Sequence, residues 1–133
     1  MEFDKTTQDA LKLIHEGNHI IFREVGRVCE KYHLNYFLDS GNLIGAVREK
    51  SDIPWDDDAD IAMTRKDFEV FRKVASTELK DGFVYVEPDE LNGAFYDFVP
   101  RVVMLDSTMR ENNAEQKYYG NGIHNHMRTD IFI

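Results

Sequence analysis

Four aspartates stand within five consecutive positions of this chain, and an apolar run follows them at once. They are Asp56, Asp57, Asp58 and Asp60. Pro54, just before them, has no N–H and fixes its own φ, which argues against a helix leading into the acids. The chain then alternates acidic and apolar residues, so a β-strand here would place Asp58 and Asp60 on one face. Two carboxylates side by side over a covered sheet are a suitable start for a Mg²⁺ or Mn²⁺ site.

Two other interpretations of the acidic run are open. Closely spaced like charges often form a solvated loop. The spacing also matches positions 1, 3, 5 and 12 of a calcium-binding loop, taken here by Asp56, Asp58, Asp60 and Asp67. That loop needs glycine at its sixth position, where this chain has the β-branched Ile61. It also needs an entering helix, which Pro54-Trp55 disfavours, so the calcium loop is the weaker alternative.

The length and composition of the chain indicate one soluble globular domain. Its 133 residues are enough for a single core, and 42% are apolar and 31% charged. The net charge of −9 argues against general affinity for nucleic acid or for an anionic membrane. The single cysteine, Cys29, excludes an internal disulfide and fits a reducing compartment, so we expect a cytoplasmic protein. No apolar run approaches about 18 residues, so we expect no transmembrane segment.

Apolar periodicity predicts two main helices. Residues 7–32 form one amphipathic helix, or two if Gly17-Asn18 interrupts it. Cys29 lies on the apolar stripe and is expected to be a buried structural thiol. A further helix is expected to begin after a Thr64 cap and to end at Gly82. Strands are predicted at residues 35–38, 58–63, 83–86, 94–98, 101–104 and 128–133.

A turn of small residues, Asp39-Ser40-Gly41-Asn42, follows the first predicted strand, and residues 43–48 are expected to form a short helix after it. A strand, such a turn and a helix can together expose backbone N–H groups to an anion. Most turns of this kind only reverse the chain, so the turn alone decides nothing. Arg48 and Lys50 come next; they could clamp a phosphate or balance the nearby carboxylates, and the sequence leaves both open.

The C-terminal part of the chain is polar before its last strand. Residues 106–125 carry a predicted turn at Gly120-Asn121-Gly122. His124 and His126 are expected to be exposed loop residues rather than metal ligands. The chain ends in mid-strand shortly after Asp130, on apolar residues with no turn or polar tail. We therefore expect it to be the N-terminal portion of a longer protein.

Several stretches of the chain resemble the LicD family, with fukutin and the fukutin-related protein as more distant relatives. They are Val28–Lys31, Tyr36–Leu38, Gly41–Arg48, Ile53–Ile61 and Asp130–Phe132. The resemblance implies a single α+β domain over residues 1–133 with a nucleotidyltransferase-like fold. It implies a mixed β-sheet, helices packed on one side of that sheet, and a long N-terminal helix.

The resemblance also implies the reaction and its partners. LicD-like proteins transfer a phosphorylated group, typically phosphocholine from CDP-choline, to a cell-surface glycan or teichoic acid, as in lipopolysaccharide biosynthesis. We therefore expect a CDP-activated donor nucleotide, a glycan or teichoic-acid acceptor, Mg²⁺ or Mn²⁺ as cofactor, and no nucleic acid. Peripheral membrane association could come from regions outside this chain. Two other functions stay open: transfer of NMP from an NTP to a small molecule, and a non-catalytic module that binds nucleotide or metal.

The resemblance assigns acidic site residues by position. The two strand carboxylates that hold metal in such folds map to Asp58 and Asp60. A third carboxylate, from a neighbouring strand, maps to Asp130, and we expect these three aspartates to be both metal ligands and catalytic. The turn that holds the donor's phosphates maps to Gly41 and Asn42.

Two arginines complete the expected site. Arg48 matches an arginine of the family, and Arg101 falls where relatives carry a basic residue ahead of the last strand; both are expected to bind phosphate. The chain departs from the family at Asn42, where threonine is usual, although the amide can still donate a hydrogen bond. It departs again at Ser51-Asp52, which replaces a glycine-containing linker.

Overall fold

The computed structural model describes residues 5–87, 99–107 and 126–133. In chain order the elements are α1 (Lys5–Lys31), β1 (Phe37–Leu38), α2 (Ser40–Ile44), a π-helical turn (Gly45–Glu49), β2 (Asp60–Ala62), α3 (Arg65–Glu78), β3 (Phe83–Val86), β4 (Arg101–Met104) and β5 (Met127–Phe132). The strand predicted at residues 94–98, the turn at residues 120–122 and His124 lie outside the described residues.

The strands form one mixed sheet in the order β1-β2-β5-β4-β3. Strands β2 and β5 are parallel, whereas the pairs β1–β2, β4–β5 and β3–β4 are antiparallel. The parallel pair joins two segments that are far apart in the chain, and α3, β3 and β4 lie between them in sequence. The helices and the mixed sheet confirm the α+β fold expected from the sequence.

Helix α1 is continuous, so Gly17-Asn18 does not interrupt it. Gly17 is instead the position where α1 approaches β5, since a Cβ atom there would overlap the thioether of Met127. The smallest residue therefore lets the long helix lie close against the strand. This contact brings the N-terminal half of α1 to the end of the sheet at which β5 begins.

The core lies between α1 and α3 on one side and the sheet on the other. Cys29 belongs to it with 1% exposure, and burial raises the pKa of its thiol to about 12, which confirms a buried structural cysteine. The core residues contributed by the helices and strands are Ile21, Val25, Val28, Phe68, Phe71, Ala75, Ile61, Val102 and Ile131. Both helices therefore cover the same face of the sheet, as expected.

Helix α3 begins as predicted and ends earlier than predicted. The Thr64 hydroxyl accepts a hydrogen bond from the backbone N–H of Asp67, which is the expected N-cap. The helix ends at Glu78, and Gly82, with φ +96°, lies in the turn that leads into β3. Among the described residues, no helix has the length and apolar character needed to cross a membrane.

A buried ionic contact ties α1 to the end of α3. Glu24 is 5% exposed; it accepts hydrogen bonds from the Arg27 guanidinium at 2.8 and 3.0 Å and from the backbone N–H of Lys80 at 2.7 Å. Arg27 also donates to the backbone oxygen of Glu78 at 2.6 Å, in the last turn of α3. A carboxylate and a guanidinium thus satisfy backbone groups at the helix end that would otherwise lack partners.

Candidate active site

The two carboxylates predicted to come from distant segments are direct neighbours across the parallel strands. Asp60 is the first residue of β2, and its register partner in β5 is Asp130. The backbone N–H of Asp130 also donates to the backbone oxygen of Ala59 at 2.9 Å. Partners in register point to the same face of a sheet, and this is the face opposite the helices, because Ile61 and Ile131 fill the core. The ladder therefore brings Asp60 and Asp130 together.

Asp58 lies just outside the strand rather than within it, because β2 begins at Asp60. Its backbone is nevertheless fixed on two sides. The Asn42 amide nitrogen donates to the Asp58 backbone oxygen at 3.3 Å, and the Asn18 amide nitrogen of α1 approaches the same oxygen at 3.5 Å. His15, also on α1, donates from Nε2 to the Asp56 backbone oxygen at 2.6 Å. The long helix thus holds the acidic loop by its carbonyl groups.

Burial and neighbouring charges both raise pKa values in the acidic cluster. Burial chiefly, and then the charges of Asp130, Asp58 and Asp56, together raise the pKa of Asp60 to about 6. The pKa of Asp58 is also raised, by burial first and then by Asp57 and Asp56. The charges of the neighbouring acids therefore reach both Asp58 and Asp60 and add to the effect of burial on their pKa values.

The tightest carboxylate grouping differs from the predicted triad. Within the described ranges, the group of three whose ligand oxygens all lie within 4.8 Å of one another is Asp56, Asp57 and Asp58. Asp60 and Asp130 adjoin this group through the strand ladder and through their charges. The donor set fits a hard divalent cation, because it consists of carboxylate oxygens whose repulsion such a cation would relieve. The assignment of Asp58, Asp60 and Asp130 as ligands stays a prediction.

A cavity of about 80 Å³ opens beside these acids. Asp57, Asp58 and Asp130 line it on the acidic side, and Asn18 of α1 lines it from the helix. Arg128 also lines it, as the basic residue of its wall. The remaining lining residues are Ile14, Ala59 and Met127. The cavity is small, so it suits one cation or one phosphate-sized group rather than a whole nucleotide.

Asn42 is 9% exposed, and both ends of its side chain are engaged by the protein. Its amide oxygen accepts from the backbone N–H of Asp60 at 2.7 Å, while its amide nitrogen donates to the backbone oxygen of Asp58. The amide expected to contact phosphate therefore brackets the backbone between the two candidate metal ligands. Helix α2 begins at Ser40, three residues before the start expected from the sequence, so Asn42 lies inside it.

Gly41 has a packing role next to the acids. A Cβ atom at this position would overlap the carboxylate of Asp56. The absence of a side chain therefore allows the acidic loop to lie directly against α2.

The two arginines expected to bind phosphate lie in different surroundings. Arg48 is on the π-helical turn, with 58% of its side chain exposed, and pairs with Glu49 at 2.9 Å; it does not line the cavity. Arg101, in β4, is 2% exposed and is the register partner of Asp130. Its Nε lies 3.1 Å from Oδ1 of Asp130, so it reaches the site from within the sheet.

Arg128, Asn18 and His15 were not assigned from the sequence. Arg128 could have been noticed because it stands two residues before Asp130 and therefore shares its strand face. Asn18 and His15 gave no such signal, since contacts between α1 and the acidic loop are not visible in local sequence. His126 has Nδ1 paired with the backbone oxygen of Ser107.

A family model and one named relative point to the same family. A family described as "LicD/FKTN/FKRP, nucleotidyltransferase domain" matches residues 33–98, about half of the chain. The lipopolysaccharide cholinephosphotransferase LicD of Haemophilus influenzae is 50% identical over 44 residues, which are 33% of this chain and 17% of that protein.

Two further relatives carry no described activity. An uncharacterized protein of Rickettsia typhi is 33% identical over 54 residues, 41% of this chain and 18% of its own length. One of Rickettsia prowazekii is 36% identical over 47 residues, 35% of this chain and 18% of its own length. The matched stretches thus span less than a fifth of each relative.

Proposed function

This chain belongs to the LicD family, and on that premise we propose that it transfers a phosphorylated group, phosphocholine or a similar group, from a CDP-activated donor. The acceptor is a hydroxyl of a cell-surface glycan, lipopolysaccharide or teichoic acid, and the reaction is cytoplasmic. The name of the Haemophilus influenzae relative, a lipopolysaccharide cholinephosphotransferase, supports the transferred group and the acceptor class.

The observation that carries the proposal is the register pairing of Asp60 with Asp130. It places two carboxylates from distant segments on one sheet face, next to the cavity that Asp57 and Asp58 line. Two adjacent, partly buried acids that repel each other do not stabilise a β-sheet. The same two acids are useful in a site that binds a cation and a polyphosphate, because phosphoryl transfer depends mainly on positioning and charge neutralisation.

Asp58, Asp60 and Asp130 would hold the Mg²⁺ or Mn²⁺ ion of the proposed reaction. When bound, the ion supplies charge neutralisation for the donor's pyrophosphate. The metal dependence is supported by the closeness of the acids: burial first, and then the charges of neighbouring aspartates, raise the pKa values of Asp58 and Asp60, and a bound cation would offset both effects.

The rest of the reaction follows from positioning. The acceptor oxygen forms a bond to the phosphorus that carries the transferred group, while the bridging P–O bond of the donor breaks and CMP leaves with the electron pair. The hydroxyl proton passes to a carboxylate of the site, with Asp130 as the candidate. Asn42 keeps the Asp58–Asp60 backbone in place while the charges rearrange, and Arg101 keeps Asp130 in place.

The test is CMP release from CDP-choline by the 133-residue chain with Mg²⁺ and a lipopolysaccharide acceptor. We expect Asp60→Asn and Asp130→Asn each to lower the turnover by about 100-fold or more, since each removes a carboxylate that would help to hold the cation and so stabilise the transition state. Asp81→Asn, at an exposed position outside the site, is the matched control and should keep wild-type turnover. Near-normal turnover by either site variant would overturn the proposal.

A nucleotidyltransferase reaction is the second candidate, because the matching family description names a nucleotidyltransferase domain. This reaction moves NMP from an NTP to a small molecule and releases pyrophosphate, whereas the first releases CMP. Incubating the chain separately with CDP-choline and with each NTP would distinguish them by product. Binding of either nucleotide without any product would instead favour a non-catalytic module.

A further inference from the structure

Arg128 occupies a position in the candidate site to which no function has been assigned. It lies in β5 two residues before Asp130, so both side chains emerge from the same face of the strand. Its side chain lines the cavity together with Asp57, Asp58 and Asp130, and 35% of it is exposed. A guanidinium at this point is both fixed by the sheet and open to a ligand.

The hydrogen bonding of Arg128 is incomplete. Its Nε atom is buried and makes no hydrogen bond to any residue that the structure describes. Within the described ranges the nearest carboxylate oxygen is Oδ1 of Asp130, which is 4.0 Å away and beyond hydrogen-bond distance. The same oxygen lies 3.1 Å from Nε of Arg101, so Asp130 already has a closer cationic partner. No carboxylate of the described residues therefore holds the guanidinium in a close pair, and the exposed part of the side chain stays available to a ligand in the cavity.

We propose that Arg128 binds a phosphate group of the donor in this cavity. The inference rests on the proposed function and identifies the residue that holds the anion. A guanidinium presents two parallel N–H groups that match two oxygens of one phosphate. It also supplies positive charge where several carboxylates would otherwise repel an anionic donor. Arg48 pairs with Glu49 and Arg101 with Asp130, and neither of these arginines lines the cavity.

The competing explanation is that Arg128 only compensates the acids. Its charge does oppose the rise in the pKa of Asp58, which burial chiefly causes. A pure counter-charge makes two different predictions. Its removal would strengthen Mg²⁺ binding, because the guanidinium would no longer repel the cation, and it would leave donor binding at saturating Mg²⁺ unchanged. A phosphate-binding residue weakens donor binding even when Mg²⁺ is saturating.

The experiment is calorimetric titration of the 133-residue chain with CDP-choline and with inorganic pyrophosphate at saturating Mg²⁺. We expect Arg128→Gln to weaken binding of both by about 10- to 100-fold, the loss typical of a hydrogen-bonded charge pair. Arg128→Lys keeps the charge but loses the planar pair of donors, so it should recover only part of the affinity. Arg65→Gln is the matched control, since Arg65 is 69% exposed on α3 and away from the cavity.

The outcomes separate this inference from the proposed function. Wild-type chain that binds CDP-choline, with Arg128→Gln binding equally well, would overturn the inference and leave the proposed function standing. Wild-type affinity in Arg128→Lys would overturn the paired phosphate contact. Wild-type chain that binds neither probe at saturating Mg²⁺ would overturn both. Thermal unfolding of each variant, measured alongside, ensures that folded protein is compared.

Discussion

Arg101 and Asp130 are register partners on the antiparallel strands β4 and β5, and Nε of Arg101 lies 3.1 Å from Oδ1 of Asp130. The arginine side chain is 3% exposed and the aspartate 24%, so the pair is largely removed from water. On its other side Asp130 is paired in register with Asp60. Asp130, the expected third carboxylate of the site, therefore lies between the cationic Arg101 on β4 and the acidic Asp60 on β2.

The Arg101–Asp130 pair predicts a large stability effect. Removing one partner of a buried ion pair leaves the other charge uncompensated. We expect Arg101→Met to lower the free energy of unfolding by about 3 kcal/mol. The double variant Arg101→Met/Asp130→Asn should be more stable than the single one, since it no longer contains the carboxylate whose Arg101 partner was removed. Urea denaturation of the two variants would measure this, and a loss below about 1 kcal/mol in the single variant would contradict the assigned pairing.

Asn42 predicts a combined effect on stability and metal binding. Asn42→Ala leaves the backbone N–H of Asp60 and the backbone oxygen of Asp58 without their side-chain partner. We expect a loss of about 2 kcal/mol in the free energy of unfolding, typical of unsatisfied buried groups. Because the backbone between two candidate ligands is then free to move, Mg²⁺ binding should weaken by about 10- to 100-fold.

Asn35→Ala is the control for Asn42. Asn35 is exposed, and its hydrogen bond to Asp67 comes from the backbone N–H, which alanine keeps. This variant should bind Mg²⁺ and unfold as the wild type does. Equal Mg²⁺ affinity in Asn42→Ala and Asn35→Ala would argue that the amide does not position the acidic strand.

Much of this site could be predicted from sequence, but only where the relevant pattern is local. The candidate ligands Asp58 and Asp60 are recognisable from their spacing, and Thr64 predicts the start of α3 because it is a typical N-cap residue. The partner of Arg101 and the place of Arg128 depend on which strand lies beside which, and no local pattern specifies strand order. The side chain of Asn42 could have faced either a ligand or the backbone, and only tertiary packing decides between them.

Glu24 predicts acid sensitivity of folding. In the folded chain the pKa of Glu24 is lowered, chiefly by its hydrogen bonds from Arg27 and to a smaller extent by the backbone N–H of Lys80. Together these interactions outweigh burial, which acts to raise the pKa. In the unfolded chain the pKa of Glu24 returns to its ordinary value of about 4.5. The ionised carboxylate therefore contributes stability that is fully present above pH 4.5 and is lost as the pH falls through the lowered folded value.

The free energy of unfolding measured by urea between pH 3 and pH 7 would check this. Glu24→Gln should be less stable than wild type at pH 7, and the difference should shrink as the solution is acidified. Glu30→Gln, at an exposed position of the same helix, is the control and should follow the wild-type profile. If the free energies of unfolding of the wild type and Glu24→Gln differ by the same amount across this range, the contact does not depend on the ionised form of Glu24.

Substitution by alanine is expected to cost much more stability at Gly45 than at Gly41. At Gly41 an added Cβ would meet the end of the Asp56 side chain, which can rotate away, whereas at Gly45 it would meet the backbone of Ser51 and Ile53. Alanine favours a helix over glycine by about 1 kcal/mol, which further offsets the cost at Gly41. Gly41→Ala should therefore change the free energy of unfolding by less than about 1 kcal/mol, while Gly45→Ala should destabilise the chain by about 2 kcal/mol or more.

Because the Asp56 carboxylate must move, Gly41→Ala should nevertheless weaken Mg²⁺ binding severalfold. Urea denaturation together with Mg²⁺ titration would measure both quantities, and a Gly41→Ala protein with wild-type Mg²⁺ affinity would remove Asp56 from the cation site.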